Sequence, residues 1–235
     1  MNYDFWRQFR HGFADVIPVT VAAAPFGFLL GTIAVQKGLV VAQVSLMSAS
    51  VYAGASQFVA LDMWRQPVPW LAITVATLLV NLRHVLMGAS LSRKLAAFSP
   101  LGRNLAMLFM VDETWALAEA RAAKQQLSPA YYLGMNILLY PSWILNTSLG
   151  VIFGGLMNDP RVYGFDFAFT AIFIALIVGF WRGAGTGVVL AAAAIVAVGV
   201  HAVVDGPWYI AAGGIAGALA GAFLPERAGA LEGQS

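Results

Sequence analysis

An all-α integral membrane protein follows from three features of this sequence. Of its 235 residues 60% are hydrophobic, only 10% are charged against about 25% in a soluble domain, and mean hydropathy is +0.77. Apolar runs of about 17 to 26 residues alternate with short polar turns, which predicts a polytopic helical bundle of seven or eight spans. Residues 1–12 read as an amphipathic N-terminal segment, 13–224 as a single integral membrane transport domain and 225–235 as a polar tail. The loops leave no room for a soluble catalytic domain, no nucleophile and base stand in hydrolytic order, and an enzyme is not expected.

With no cysteine, there are no disulfides and no thiolate sites. His11, His84 and His201 have no ligand spacing, so neither metal nor cofactor is expected. The net charge of +2 and pI near 9.0 fit the positive-inside bias of an inner-membrane protein rather than a nucleic-acid partner.

The first run, about Phe13 to Val35, contains Pro25, which removes one backbone bond and is a candidate helix break; a packed kink is the plainer alternative. The second, Leu39 to Trp64, is about 39 Å as a helix against a core of about 30 Å, so it must tilt or break. Its small, polar centre ends at Gln57, which either faces a cavity or helps close packing.

The third run, Trp70 to Leu91, carries Asn81, Arg83 and His84 at its middle. A charge at the bilayer centre costs roughly 2.5–3.5 kcal/mol on insertion scales, so such residues face protein or a watery path. At about 100° per residue Thr74, Thr77, Asn81, His84 and Gly88 share one face, whereas Arg83 is rotated roughly 200° from Asn81. This helix therefore needs two contacts. Asp112 and Glu113 lie near the middle of the short fourth run and also demand partners. The fifth, about Pro129 to Gly154, adds Asn146 and a second candidate break at Pro141.

Phe165 to Trp181 is a sixth run, and Gly187 to Val204 a seventh with His201 near its end, where an interfacial or satisfied histidine is expected. The last, Trp208 to Leu224, repeats Gly213, Gly217 and Gly221, a small-residue surface for a neighbouring helix or a partner subunit. A gapless shift that superposes Gly38 on Gly155 also brings Trp64 onto Trp181, Arg65 onto Arg182 and His84 onto His201. This raises a pseudo-repeat whose halves each begin with a proline-broken helix. If all eight runs cross, loop charge is only weakly biased. The bias strengthens if the second or the fourth run enters and returns.

Together these residues describe a path for a small polar solute. Arg83 and either Asp112 or Glu113 are positioned to hold the carboxylate and ammonium of a zwitterion, or simply to neutralise each other; His84 is a proton relay or a structural histidine.

The blocks PFGFLLG (Pro25–Gly31), VYAGASQFVAL (Val51–Leu61), NLRHVLMGASL (Asn81–Leu91) and DETWAL (Asp112–Leu117), in this order, resemble the AzlC family of branched-chain amino acid export permeases. The resemblance implies a bacterial inner-membrane exporter of valine, leucine or isoleucine. It also implies proton coupling and a small separate membrane subunit of the AzlD type. Gln57, Asn81, Arg83, His84, Asp112 and Glu113 are the positions it carries over, without assigning which touches substrate. A channel for a small polar solute and a non-transporting membrane scaffold subunit are the alternatives.

Overall fold

The computed structural model describes residues 3–156, 183–204 and 208–224, with the single positions 174, 178 and 181. The described residues are helical, and four helices are long and apolar enough to cross a bilayer. They are α1 (Tyr3–Gln36), α4 (Trp70–Ser92), α7 (Pro129–Gly154) and α8 (Ala184–Val203). The shorter α9 (Trp208–Ala222) pairs with α8. The sixth apolar run lies almost wholly outside the described residues.

α1 and α7 form the spine. Residues of α1 meet residues of α7 in rising order, Gly12 at Tyr131, Gly27 at Asn146 and Gly31 at Thr147, so the two helices run parallel. Their backbones nearly touch. A Cβ on Gly31 would lie 2.0 Å from the Thr147 carbonyl oxygen, and one on Gly150 would lie 1.9 Å from that of Phe28. Lipid is as apolar as leucine, so close backbone approach and interhelical hydrogen bonds carry such contacts; Thr32 Oγ1 supplies one at 3.3 Å from the Gly150 oxygen.

At 34 residues, α1 extends about 51 Å and outruns a hydrocarbon core of about 30 Å. The amphipathic start is thus no separate segment. It is the first turns of α1, faced by the ring ladder Phe5, Phe9 and Phe13. Pro25 and Pro141 were candidate breaks, but both sit inside continuous helices. Each proline removes one ladder bond, and the surrounding turns keep the rest.

The breaks fall instead in the second and fourth runs. α2 (Val41–Ser50) and α3 (Gly54–Asp62) flank one, α5 (Pro100–Leu108) and α6 (Asp112–Ala122) the other. α2 follows α7 back toward its middle, with Ser45 Oγ 2.7 Å from Ser148 Oγ, Ser48 Oγ 2.9 Å from Thr147 Oγ1 and Tyr140 Oη donating to the Ala49 oxygen at 2.9 Å. α3 then returns to the side it came from, because Leu61 packs with Val44, Leu39 and Val151. The α2–α3 pair is a re-entrant hairpin.

α4 crosses antiparallel to α1, from the ring contact of Trp70 with Trp64 to the ion pair of Lys94 with Glu119. α5 enters from the opposite side, with Tyr132 Oη donating to the Ala106 oxygen at 2.8 Å, and reaches Tyr140 through Phe109. α6 leads back to Gln8, which accepts from Arg121 at 2.9 Å. A second hairpin therefore enters from the opposite face.

α1 with the first hairpin and α4 with the second form two units of opposite orientation. Superposing Ser56 on Thr114 brings Val51–Ala53 onto Phe109–Val111 and Ala60 onto Ala118. Both hydroxyls fold back onto the last carbonyl of their break, Ser56 to Ala53 at 2.9 Å and Thr114 to Val111 at 3.1 Å. This shorter inverted repeat lies within the first of the two halves, whose first helices α1 and α7 run the same way. With both hairpins re-entrant, Arg7, Arg10, Arg93, Lys94, Arg103, Arg121 and Lys124 share one face, and only Lys37 and Arg65 lie opposite among the described loops. The positive-inside rule puts the first face in the cytoplasm.

The chain has no native cysteine, so single cysteines report this topology directly. Gln36→Cys and Gln66→Cys label with an impermeant maleimide in intact cells, whereas Ala97→Cys and Gln126→Cys label only after permeabilisation. Labelling of positions 36 and 97 but not 66 or 126 from outside would mean that both runs cross. Gly150→Ala lowers the unfolding free energy in detergent by about 1–3 kcal/mol through overpacking. Gly199, with nothing within 4 Å of its Cβ position, serves as the control; alanine there is neutral or stabilises by up to about 1 kcal/mol.

Candidate functional site

The two hairpin tips and the middle of α4 meet at the level of Tyr140. Asn81 and Arg83 diverge around α4 as the helical angle requires, and each reaches a different hairpin. Asn81 Nδ2 lies 3.4 Å from Ser56 Oγ at the start of α3, and Arg83 Nη1 lies 2.8 Å from Asp112 Oδ2 at the start of α6. Asp112 is also in the first turn of α6, where the helix dipole favours a negative charge. Each partner of the ion pair keeps about a third of its side chain exposed, 35% for Arg83 and 34% for Asp112.

Glu113, one residue on, is exposed and has no salt-bridge partner among the described residues. The hydroxyl of Tyr52, in the first break, lies within its electrostatic reach. Four buried polar atoms around this point have no hydrogen-bond partner among the described residues: Tyr52 Oη, Asn81 Oδ1, Arg83 Nε and His84 Nδ1. Such atoms are costly unless a solute, water or another chain completes them. An exposed carboxylate at this depth is likewise costly against lipid, so Glu113 demands a polar neighbour.

The rings nearby come from three elements. Tyr140 of α7 stands edge-on to Tyr52 of the first break, with centroids 5.0 Å apart, and to Phe109 of the second, at 5.1 Å. Such contacts contribute about 0.5–1.5 kcal/mol each. All three residues are only partly buried. Tyr52, Phe109 and Tyr140 escape a reading based on charge, although Tyr52 stands second in a recognisable block and Tyr140 directly precedes Pro141.

Other candidates serve the framework. Gln57 is 1% exposed; its Nε2 donates to Ser48 Oγ at 3.1 Å and its Oε1 accepts from Trp143 Nε1 at 2.9 Å, so it ties the two limbs of the first hairpin to α7. Asn146 folds back on the Ser142 carbonyl at 2.8 Å, with its Cβ against Gly27. The Thr77 hydroxyl returns to the Ile73 carbonyl at 2.8 Å. Gly213 and Gly217 lie against Ala193, Ala197 and Val189 of α8, and Gly221 against Val189, so these glycines meet a helix of the same chain. His201 stacks edge-on against Tyr209 at 5.0 Å. Among the described residues no three metal-ligating side chains come together.

Comparison with known proteins places this sequence in a family. The family model described as AzlC protein matches residues 18–157, which include both hairpins, α4 and α7. An uncharacterized membrane protein of Archaeoglobus fulgidus is 28% identical over 178 residues, covering 75% of this chain and 77% of the relative. The inner membrane protein YgaZ of Escherichia coli K12 is 26% identical, covering 72% of this chain and 71% of its own. The branched-chain amino acid transport protein AzlC of Bacillus subtilis is 25% identical, covering 75% and 69%. No solved structure matches. With the family model covering more than half of the sequence, the chain is a multi-pass membrane protein that belongs to the AzlC family.

Proposed function

We propose that this chain exports branched-chain amino acids across the bacterial inner membrane, driven by the proton gradient and working with a small AzlD-type membrane subunit. The observation that carries the reading is the meeting of two hairpins, entered from opposite faces, at one polar point in mid-membrane. The name of the Bacillus subtilis relative supplies the substrate class. Asp112 is already paired with Arg83, so Glu113 is the carboxylate left for the substrate ammonium. The Arg83 Nε–H and the Tyr52 hydroxyl remain to donate to the carboxylate. Partly exposed rings supply apolar wall for the side chain.

Cells co-expressing the chain and its small partner, loaded with a branched-chain dipeptide, accumulate external leucine, valine or isoleucine. A hydrogen bond to a charged group contributes about 1.5–3 kcal/mol, so Arg83→Ala and Glu113→Gln each lower efflux by roughly tenfold to a hundredfold at equal membrane abundance. Exchanging the charges, Arg83→Asp with Asp112→Arg, restores abundance but not efflux. Full recovery of efflux in the exchanged pair would reduce Arg83 and Asp112 to a structural brace.

Hairpins entering from both faces also suit a channel for a small polar solute. The two readings part on energetics: an exporter saturates and stops when an uncoupler collapses the proton gradient, whereas a channel follows the solute gradient and ignores the uncoupler.

A further inference from the structure

We infer that Tyr52, Tyr140 and Phe109 form an aromatic clasp that closes the path between the hairpin tips and selects solutes by the bulk of their apolar side chain. This rests on the transport reading above and extends it to the residues that set specificity.

Three observations support the clasp. Each hairpin contributes one ring from its break, and both rings meet the same ring of the α1–α7 spine edge-on, Tyr52 at 5.0 Å and 89°, Phe109 at 5.1 Å and 83°. The spine therefore carries the one ring that both tips touch among the described aromatic contacts. Next, none of the three is sealed in a core, although they lie at the level of the breaks. Tyr52 also lies within the electrostatic reach of Glu113, an exposed carboxylate that lipid does not suit.

The third observation is an asymmetry. Tyr140 is tied to the first hairpin by its hydroxyl, which donates to the Ala49 carbonyl at 2.9 Å, whereas its contact with Phe109 of the second hairpin is ring against ring. The Phe109 side can part without breaking a hydrogen bond. A branched aliphatic side chain entering there replaces one ring edge with comparable dispersion contact. A solute without a side chain leaves the gap unfilled, and an aromatic side chain is too large while Phe109 remains.

The test compares leucine with phenylalanine efflux from cells loaded with the matching dipeptides and expressing the full chain with its small partner, at matched membrane abundance. A methylene-sized change in an apolar pocket alters discrimination by about tenfold or more, so Phe109→Ala and Tyr140→Ala raise the phenylalanine-to-leucine ratio at least about tenfold. Tyr140→Phe keeps the ring, loses the tie to Ala49 and retains the wild-type ratio. Where an alanine variant is missing from the membrane, Phe109→Leu and Tyr140→Leu keep most of the volume, remove the ring edge and move the ratio in the same direction. A ratio unmoved in variants that still export leucine overturns the clasp alone. Failure of the wild-type chain to export leucine overturns the transport reading, and the clasp with it.

Discussion

Backbone amides and carbonyls left open at a helix break have no water to turn to in the middle of a bilayer, and this chain has to satisfy two such breaks. Ser56 and Thr114, each three residues into the helix that follows, bond back to the last carbonyl before it, and Thr114 Oγ1 also accepts from the Val111 amide at 3.0 Å. Gln57 then joins the limbs of the first hairpin and fastens them to Trp143. In the second hairpin Asp112 sits at the helix start and draws Arg83 from α4. α4 therefore lies between the tips because it alone offers Asn81 to one and Arg83 to the other.

The division of labour between spine and hairpins follows from how each is held. α1 and α7 meet through glycines so close that a methyl group at Gly31 or Gly150 would overlap a carbonyl, a contact with no slack. Each hairpin packs on its own half of that spine, the first against Leu29, Leu30 and Val151, the second around Val16, Tyr131 and Leu139. The two cores keep the hairpins apart except at their tips, where Tyr52 of the first packs against the core of the second. Alternating access has this requirement: a fixed element, and gates on the two sides that open at different times.

Much of the site was legible because intramembrane charge is scarce and so conspicuous. Asn81, Arg83, Asp112 and Glu113 stand out from hydropathy alone, and the helical angle between Asn81 and Arg83 already required two contacts. The breaks were harder to place. Proline is the usual signal, yet Pro25 and Pro141 lie in unbroken helices, while Val51–Ala53 and Phe109–Val111 contain no proline. What marks them is the hydroxyl three residues later, a local capping signal that hydropathy does not register. Gln57 was ambiguous for a different reason: whether an amide lines a cavity or ties a framework depends on Ser48 and Trp143, and Trp143 is remote in sequence.

The opposed hairpins also account for the positions of the basic residues. Read as simple crossings, the second and fourth runs scatter lysine and arginine over both faces, an arrangement that gives insertion little direction. Folded as re-entrant hairpins, they return the loop containing Arg93, Lys94 and Arg103 to the side of Arg7, Arg10, Arg121 and Lys124. That grouping also places the contacts made after entry. Lys94 pairs with Glu119, Ser90 bonds Glu119 at 2.9 Å, and Arg121 lies over the Tyr131 ring at 4.7 Å. The residues that orient the chain during insertion are therefore also those that hold the second hairpin against α4 and α7, whereas its tip is joined to the spine by ring contact. The same hairpin carries both Asp112 and Phe109 at its tip, beside Met110 and Val111, which are buried with Met135 and Leu139.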